Sequence, residues 1–202
     1  MEKKYELTDE ILEVGGHVLH RIKALRDFGN VKKGDIGGWI ECEDNLSHDD
    51  DCWVYDEARV YGKAEVCGEA RVYGEARVCG EAVVYGKAEV CGKAEVCGKA
   101  RVCGEARVCG EAVVYGKAEV CGEAVVCGKA VIKSKSDYIV FKNWWSSGRY
   151  FTWTRSNDMW SVGCFYGTGE ELIKKAYNNS DESGREYERI VKYVESIKSE
   201  IK

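Results

Sequence analysis

The sequence predicts a mainly β chain built on a single-stranded, three-sided parallel β-helix, and three observations carry that prediction. From Val54 to Val126 a valine recurs every six residues, inside a V-x-G-x-A-x motif that runs on to Ile132. Six is far from a multiple of the 3.6-residue helical period, so a helical solenoid is disfavoured. The 202 residues contain no proline, so nothing in the long middle of the chain interrupts a ladder of backbone hydrogen bonds.

A strand has period two, which puts Val, the following Gly and the following Ala on one small, apolar face. Cys or Tyr, then Lys or Glu, then Arg, Glu or Val share the other. A flat sheet would need reversing turns, and no hairpin dipeptide recurs. Short straight runs bent at each Gly and wound into a triangular coil of 18 residues satisfy both constraints. In such a coil residue i lies beside i+18, and the rows Glu75–Lys93–Glu111–Lys129, Lys63–Glu81–Lys99 and Arg71–Glu89–Arg107 alternate in sign at that spacing. Each exposed rung contributes only about 0.2–1 kcal/mol, so the rows serve register and solubility while stacked Val and Ala carry stability. Ile40 and Leu46 extend the pattern backwards to about five coils, roughly 25 Å long at ~4.8 Å per rung. Left-handed winding is favoured because hexapeptide solenoids usually wind that way; the right-handed form of bacterial bactofilins stays open.

A β-helix exposes unpaired strand edges at both ends, which caps must cover. Residues 1–53 read as an N-terminal cap and entry coil, 54–132 as the hexapeptide-repeat β-helix, and 133–202 as a C-terminal α+β module. In the cap, Ile11–Val14 and His17–Ile22 form a hairpin about Gly15-Gly16. The chain then enters the first coil through Gly34–Ile40, and Asp49-Asp50-Asp51 makes an acidic bulge just before the regular repeat. In the tail, three strands are expected, over Tyr138–Trp145, Arg149–Arg155 and Met159–Tyr166. Two helices follow, opened by the capping boxes Thr168-x-x-Glu171 and Ser183-x-x-Glu186. The last carries Tyr187, Ile190, Val191, Val194, Ile197 and Ile201 on one stripe.

A net charge of −5 on dispersed charges leaves no electrostatic footprint for nucleic acid or an anionic membrane. No run approaches the roughly 20 apolar residues of a membrane helix, and Met1-Glu2-Lys3-Lys4 leads into polar sequence without the apolar core of a secretory signal. A cytoplasmic location is expected. Eight of the eleven cysteines occupy one outward column of the repeat, which argues for a structural slot over pairing or a metal cage. At the 18-residue spacing they stack as Cys91–Cys109–Cys127, Cys79–Cys97 and Cys103–Cys121, within disulfide reach, and thiolate rows could bind soft metals. Yet Tyr takes the same column at Tyr55, Tyr61, Tyr73, Tyr85 and Tyr115, and histidine never does. Strand-compatible surface filling is the favoured reading, with no metal or cofactor expected.

Asp27-Phe28-Gly29-Asn30-Val31, Gly34-Asp35-Ile36-Gly37-Gly38-Trp39-Ile40-Glu41, Asn45-Leu46-Ser47 and Cys52-Trp53-Val54-Tyr55, with the A-x-V-x-G repeat, resemble the YdcK-like hexapeptide-repeat proteins of bacteria and phages. The resemblance covers about residues 5–132 and implies a left-handed β-helix, with a transferase label that rests on fold analogy alone. The segments Phe141-Lys142-Asn143, Ser146-Ser147-Gly148-Arg149 and Val162–Thr168 resemble a module of uncharacterised phage and gut-bacterial proteins, to which no activity attaches. Asp27-Phe28-Gly29 also matches a kinase tripeptide, but the Gly-rich, lysine and catalytic-loop motifs are all missing.

Left-handed hexapeptide folds include many acyltransferases, which use a histidine near an acyl-carrier site between subunits of a trimer. His17, His20 and His48 all lie outside the regular coils. Only His48 sits in an expected loop, beside Asp49 and Asp50, which could orient it; a surface-loop histidine is the favoured reading. The tail has the richer chemistry. Arg149, Arg155, Trp153, Trp160 and a helix N-terminus at Thr168 and Gly169 combine guanidinium groups, aromatic faces and free N–H groups that suit an anionic, nucleotide-like ligand. The same rings also read as a packed core or a subunit contact. The expected function is therefore non-enzymatic: a β-helix scaffold, homo-oligomeric, that binds a protein partner or a small nucleotide-like ligand. In a phage setting that would be a host factor or signal held out of circulation. The alternative is a hexapeptide acyltransferase using CoA or an acyl carrier.

Overall fold

The computed structural model describes residues 3–201. Each hexapeptide becomes a two-residue strand and a four-residue corner, and the strands pair in parallel with a step of 18 residues. Glu89 lies between Arg71 and Arg107, and Val90 between Val72 and Val108. Every third strand stacks in the same sheet, so three sheets form the three sides of the solenoid. One side is a five-stranded stack running from Trp53–Val54 to Val125–Val126. The outward residues supply the ladder: Arg59 N–H donates to the Ala76 carbonyl at 2.9 Å, Tyr61 N–H to Val78 at 3.1 Å and Lys63 N–H to Gly80 at 2.7 Å.

The repeat valines and alanines are buried and form one continuous core along the coils. The repeat glycines do not join them, which corrects the simple period-two reading. They stand at the corners with φ close to +70°, as at Gly92. There the Ala94 N–H closes a turn on the Cys91 carbonyl at 3.4 Å. The corner swings Gly and the following Lys or Glu outwards, and the chain turns back in at Ala. Three of the expected charge rungs close, Glu81–Lys99 at 3.3 Å, Glu89–Arg107 at 2.9 Å and Glu111–Lys129 at 3.8 Å. One cysteine rung departs from the unpaired reading: Cys109 and Cys127, with Cα atoms 4.7 Å apart, form a disulfide. The 18-residue step sets them one coil apart, at a Cα separation inside the range a disulfide spans.

The entry coil is longer than the rest. Ile40 pairs with Val60 and Leu46 with Val66, a step of 20 residues, and the step falls to 18 at Val54 and Val72. The acidic bulge absorbs the difference, with Asp50 at φ +53°. The cap is the expected hairpin: β1 (Tyr5–Val14) pairs antiparallel with β2 (His17–Ala24). Gly15 and Gly16 both have positive φ, the requirement of the tight hairpin turn. Strand β2 pairs in turn with β3 (Ile36–Ile40), which starts the parallel stack on Arg59–Val60. Beneath the hairpin the fully buried Lys4 ammonium donates to the carbonyls of Asp49 at 3.3 Å and Cys52 at 2.9 Å, and the Tyr5 hydroxyl to that of Leu46 at 2.7 Å.

The tail forms an antiparallel sheet of four strands, Tyr138–Lys142, Tyr150–Thr154, Met159–Val162 and Phe165–Gly167. The third strand expected from the sequence is split, because Gly163 at φ +56° reverses the chain and Val162 pairs with Phe165. Helices α1 (Gly169–Asn179) and α2 (Asp181–Ile197) follow. The Thr168–Glu171 capping box forms as expected. The second does not: Ser180 caps α2 by accepting from Ser183 N–H at 3.1 Å, and Ser183 lies inside the helix. Ser180 also ends α1 by donating its N–H to the Ala176 carbonyl, so one residue serves both helix ends. Phe151, Trp153, Trp160, Leu172, Tyr187 and Val191 belong to a second core between sheet and helices.

Hydroxyl side chains of this module meet the open end of the last coil. Thr152 Oγ1 accepts from Val125 N–H at 2.9 Å, Ser156 Oγ accepts from Val131 N–H at 2.7 Å, and the Tyr138 hydroxyl donates to the Glu119 carbonyl at 3.2 Å. They do for the last rung what a further coil would do.

Candidate functional site

The C-terminal module has a cleft of about 320 Å³ between the loop 143–149, the turn after Val162 and helix α1. Its loop is built around Asn143, which is buried. The Asn143 N–H donates to the Arg149 carbonyl at 2.8 Å, and its amide oxygen accepts from Ser146 N–H at 2.9 Å. Its amide nitrogen reaches the Tyr187 hydroxyl of α2 at 3.2 Å. A buried amide with its donors and acceptors used in this way holds a loop in one conformation. The result is a fixed mouth at which Arg149 stands, with Ser146 and Ser147 beside it and Leu172, Ala176 and Phe165 forming the apolar wall.

Lys175 lines the same cleft from α1, its ammonium 5.2 Å from the centre of the Phe165 ring. Neither Arg149 nor Lys175 forms an ion pair among the described residues, whereas Arg21, Arg107 and Arg189 all do. Burial pushes the Tyr187 hydroxyl above its ordinary value, and the Asn143 hydrogen bond and the Arg149 charge partly offset this. The hydroxyl therefore remains a neutral donor. Two cations, neutral amides and hydroxyls over an apolar wall are suited to a small anion with an apolar part.

The residues singled out in the sequence do not assemble into one site. Arg149 lines this cleft. Trp153, Trp160, Thr168 and Gly169 line a second one, of about 310 Å³, together with Asp158, Glu170 and Glu195. That second cleft is acidic, and the helix N-terminus is already engaged: Thr168 N–H donates to the Glu171 carboxylate at 2.8 Å. Trp153 and Trp160 are buried in the second core, and the Trp153 indole N–H donates to Asp158 at 2.8 Å. Burial opposes ionisation of Asp158, but bonds from Lys198 and Trp153 outweigh it and hold its carboxyl below the usual value. Gly169 lets α1 approach α2, since a Cβ there would lie 2.7 Å from the Val191 side chain. Arg155 is exposed at the turn after its strand, and its N–H donates to the Asp137 carbonyl at 2.8 Å.

His48 is tied into the N-terminal cap. Its ring stacks on Tyr5 with centroids 4.3 Å apart, and Nδ1 accepts from Lys4 N–H at 3.2 Å. Nε2 faces the Glu43 carboxylate at 3.6 Å and is sealed from solvent. Lys175, Asn143, Asn179 and Tyr187 are not among the site residues expected from the sequence, where Asn143 figures only in a tail motif and Tyr187 only on a helix stripe. Their common signal is weak, because α1 and the loop 143–149 meet only through tertiary packing.

No family model matches the chain. Over 52 residues it is 40% identical to a protein of Escherichia coli (strain K12) named "Uncharacterized acetyltransferase YdcK". That stretch is 25% of this chain and 16% of that protein, so the chain spans about one sixth of the length of the curated relative it matches. Repeat, coil step and this similarity agree: the chain is a hexapeptide-repeat β-helix. No helix among the described residues is long and apolar enough to cross a membrane.

Proposed function

We propose that the protein is a non-enzymatic binding protein, in which a rigid β-helix carries a C-terminal module that captures a small anionic, nucleotide-like ligand. The observation that carries this reading is the pair of cations, Arg149 and Lys175, facing one apolar-walled cleft without acidic partners among the described residues. Charged hydrogen bonds of this kind are worth about 1.5–3 kcal/mol each, so losing one costs roughly tenfold or more in affinity. The direct test is native mass spectrometry of gently purified protein for a stoichiometric extra mass, followed by calorimetric titration with nucleoside monophosphates and inorganic phosphate. Saturable binding that drops at least about tenfold in R149Q/K175Q, with an unchanged melting curve, supports the reading. No binding by the unaltered protein, or equal binding by the double variant, overturns it.

A second reading is favoured by the name of the E. coli relative: transfer of an acyl group from CoA. It requires a histidine open to substrate, and the sealed Nε2 of His48 argues against that residue. Release of free CoA from acetyl-CoA, abolished by His48→Ala, would restore the transferase reading.

A further inference from the structure

The outward cysteine column runs beside carboxylates, and among the described residues two thiols and a carboxylate converge most closely at one place. Cys103 and Cys121 sit one coil apart, flanked by Glu119, and the two sulfurs and a carboxylate oxygen all lie within 4.8 Å of one another. Among the described residues no other three His, Cys, Asp or Glu donors converge this closely. Two thiolates on one tetrahedral zinc stand about 3.8 Å apart, since each Zn–S bond is about 2.3 Å. The spacing of the coils holds the two sulfurs within 4.8 Å of one another, close to that separation.

A second observation concerns the charges around them. The ladder register sets Arg101 directly opposite Glu119, as it sets Arg107 opposite Glu89, where an ion pair closes at 2.9 Å. Arg101 turns instead to the previous coil, donating to the Tyr85 hydroxyl at 3.2 Å and lying 5.3 Å over its ring. Glu119 is thereby left to the sulfurs, with no cation paired to it among the described residues. Tyr138, whose hydroxyl is 4.0 Å from the Cys121 sulfur, opens the C-terminal module, so the group sits where the last two coils meet the cap.

We propose that Cys103, Cys121 and Glu119 form a binding site for a thiophilic divalent ion of the zinc and cadmium class, clipping two coils together at the foot of the C-terminal module. Binding releases the two thiol protons to solvent and leaves both sulfurs coordinated as thiolates, with water or the Tyr138 hydroxyl completing the shell. Soft sulfur donors exclude magnesium and calcium, and the single carboxylate leaves the site less sulfur-rich than a closed structural cage.

The test uses the full chain under mild reductant. Cadmium is titrated while the ultraviolet sulfur-to-metal absorption is followed, zinc is added in competition, and native mass spectrometry counts the ions. One ion per chain is expected, and Cys121→Ser, at an exposed position, should weaken it by more than the roughly 10–100-fold that loss of a supporting hydrogen bond costs a metal site. Glu119→Gln should weaken it less and leave the absorption in place, because both thiolates remain. The control variant C79S/C97S should bind as the unaltered protein does. Absence of a bound ion, retention of it in Cys121→Ser, or equal loss in C79S/C97S would each overturn the proposal.

Discussion

Two residue types do different work in the repeat, and the glycine is the less forgiving. Val and Ala fill the inside, where a swap changes volume and leaves the backbone alone. Gly80 stands at φ +73°, and a Cβ there would lie 2.9 Å from the backbone nitrogen of Gly98 in the next coil. The left-handed conformation alone costs a non-glycine residue about 1–2 kcal/mol, and the collision adds to it. Gly80→Ala is therefore expected to lower stability by more than about 1 kcal/mol in denaturant melts, while Lys99→Gln, which removes only an exposed rung, should cost less than about 1 kcal/mol. Equal effects would show that the corners yield more easily than their geometry indicates. Functional residues follow another logic: Arg149 matters for what it faces, and its value as a ligand contact depends on Asn143 fixing the loop beneath it.

At the scale of elements, the recurrent problem is the open strand edge. Within the coils every rung is covered by the next, and only the ends need special residues. Thr152 and Ser156 answer this at the C-terminal end, each accepting an N–H of the last coil. Replacing both by shape-matched T152V and S156A leaves two donors without partners, at about 1–3 kcal/mol for each one that stays buried. Hydrogen exchange at Val125 and Val131 should accelerate selectively, with exchange in the central coils unchanged; uniform protection would mean that these hydroxyls are dispensable. The Lys4 and Tyr5 side chains play the corresponding part at the entry coil, where they bond carbonyls left over by the acidic bulge.

On the scale of the whole molecule, the chain has two cores, a linear one of stacked Val and Ala and a compact aromatic one in the tail. Contacts in a solenoid are between neighbours, so loss of the tail should not dismantle the rod. Val191→Asp, which places a charge in the second core, is expected to red-shift the tail tryptophan emission while leaving the β signal in circular dichroism. The uncovered last rung should then promote self-association at raised concentration. Simultaneous loss of both signals would show one cooperative unit instead.

The sequence by itself determined the three-sided coil, its 18-residue step, the entry hairpin and the Thr168 cap, because each rests on local spacing and turn chemistry. It also placed Cys103 beside Cys121, since the step is uniform through the regular coils. Only the tertiary structure decided that the repeat glycines face outwards, that the tail sheet has four strands, and that Arg149 parts company with Trp153, Trp160, Thr168 and Gly169. It alone brought Lys175 into one cleft with Arg149, and it turned Arg101 away from Glu119. These outcomes depend on how separate segments pack and on which of several partners a side chain takes, and a repeating pattern encodes neither.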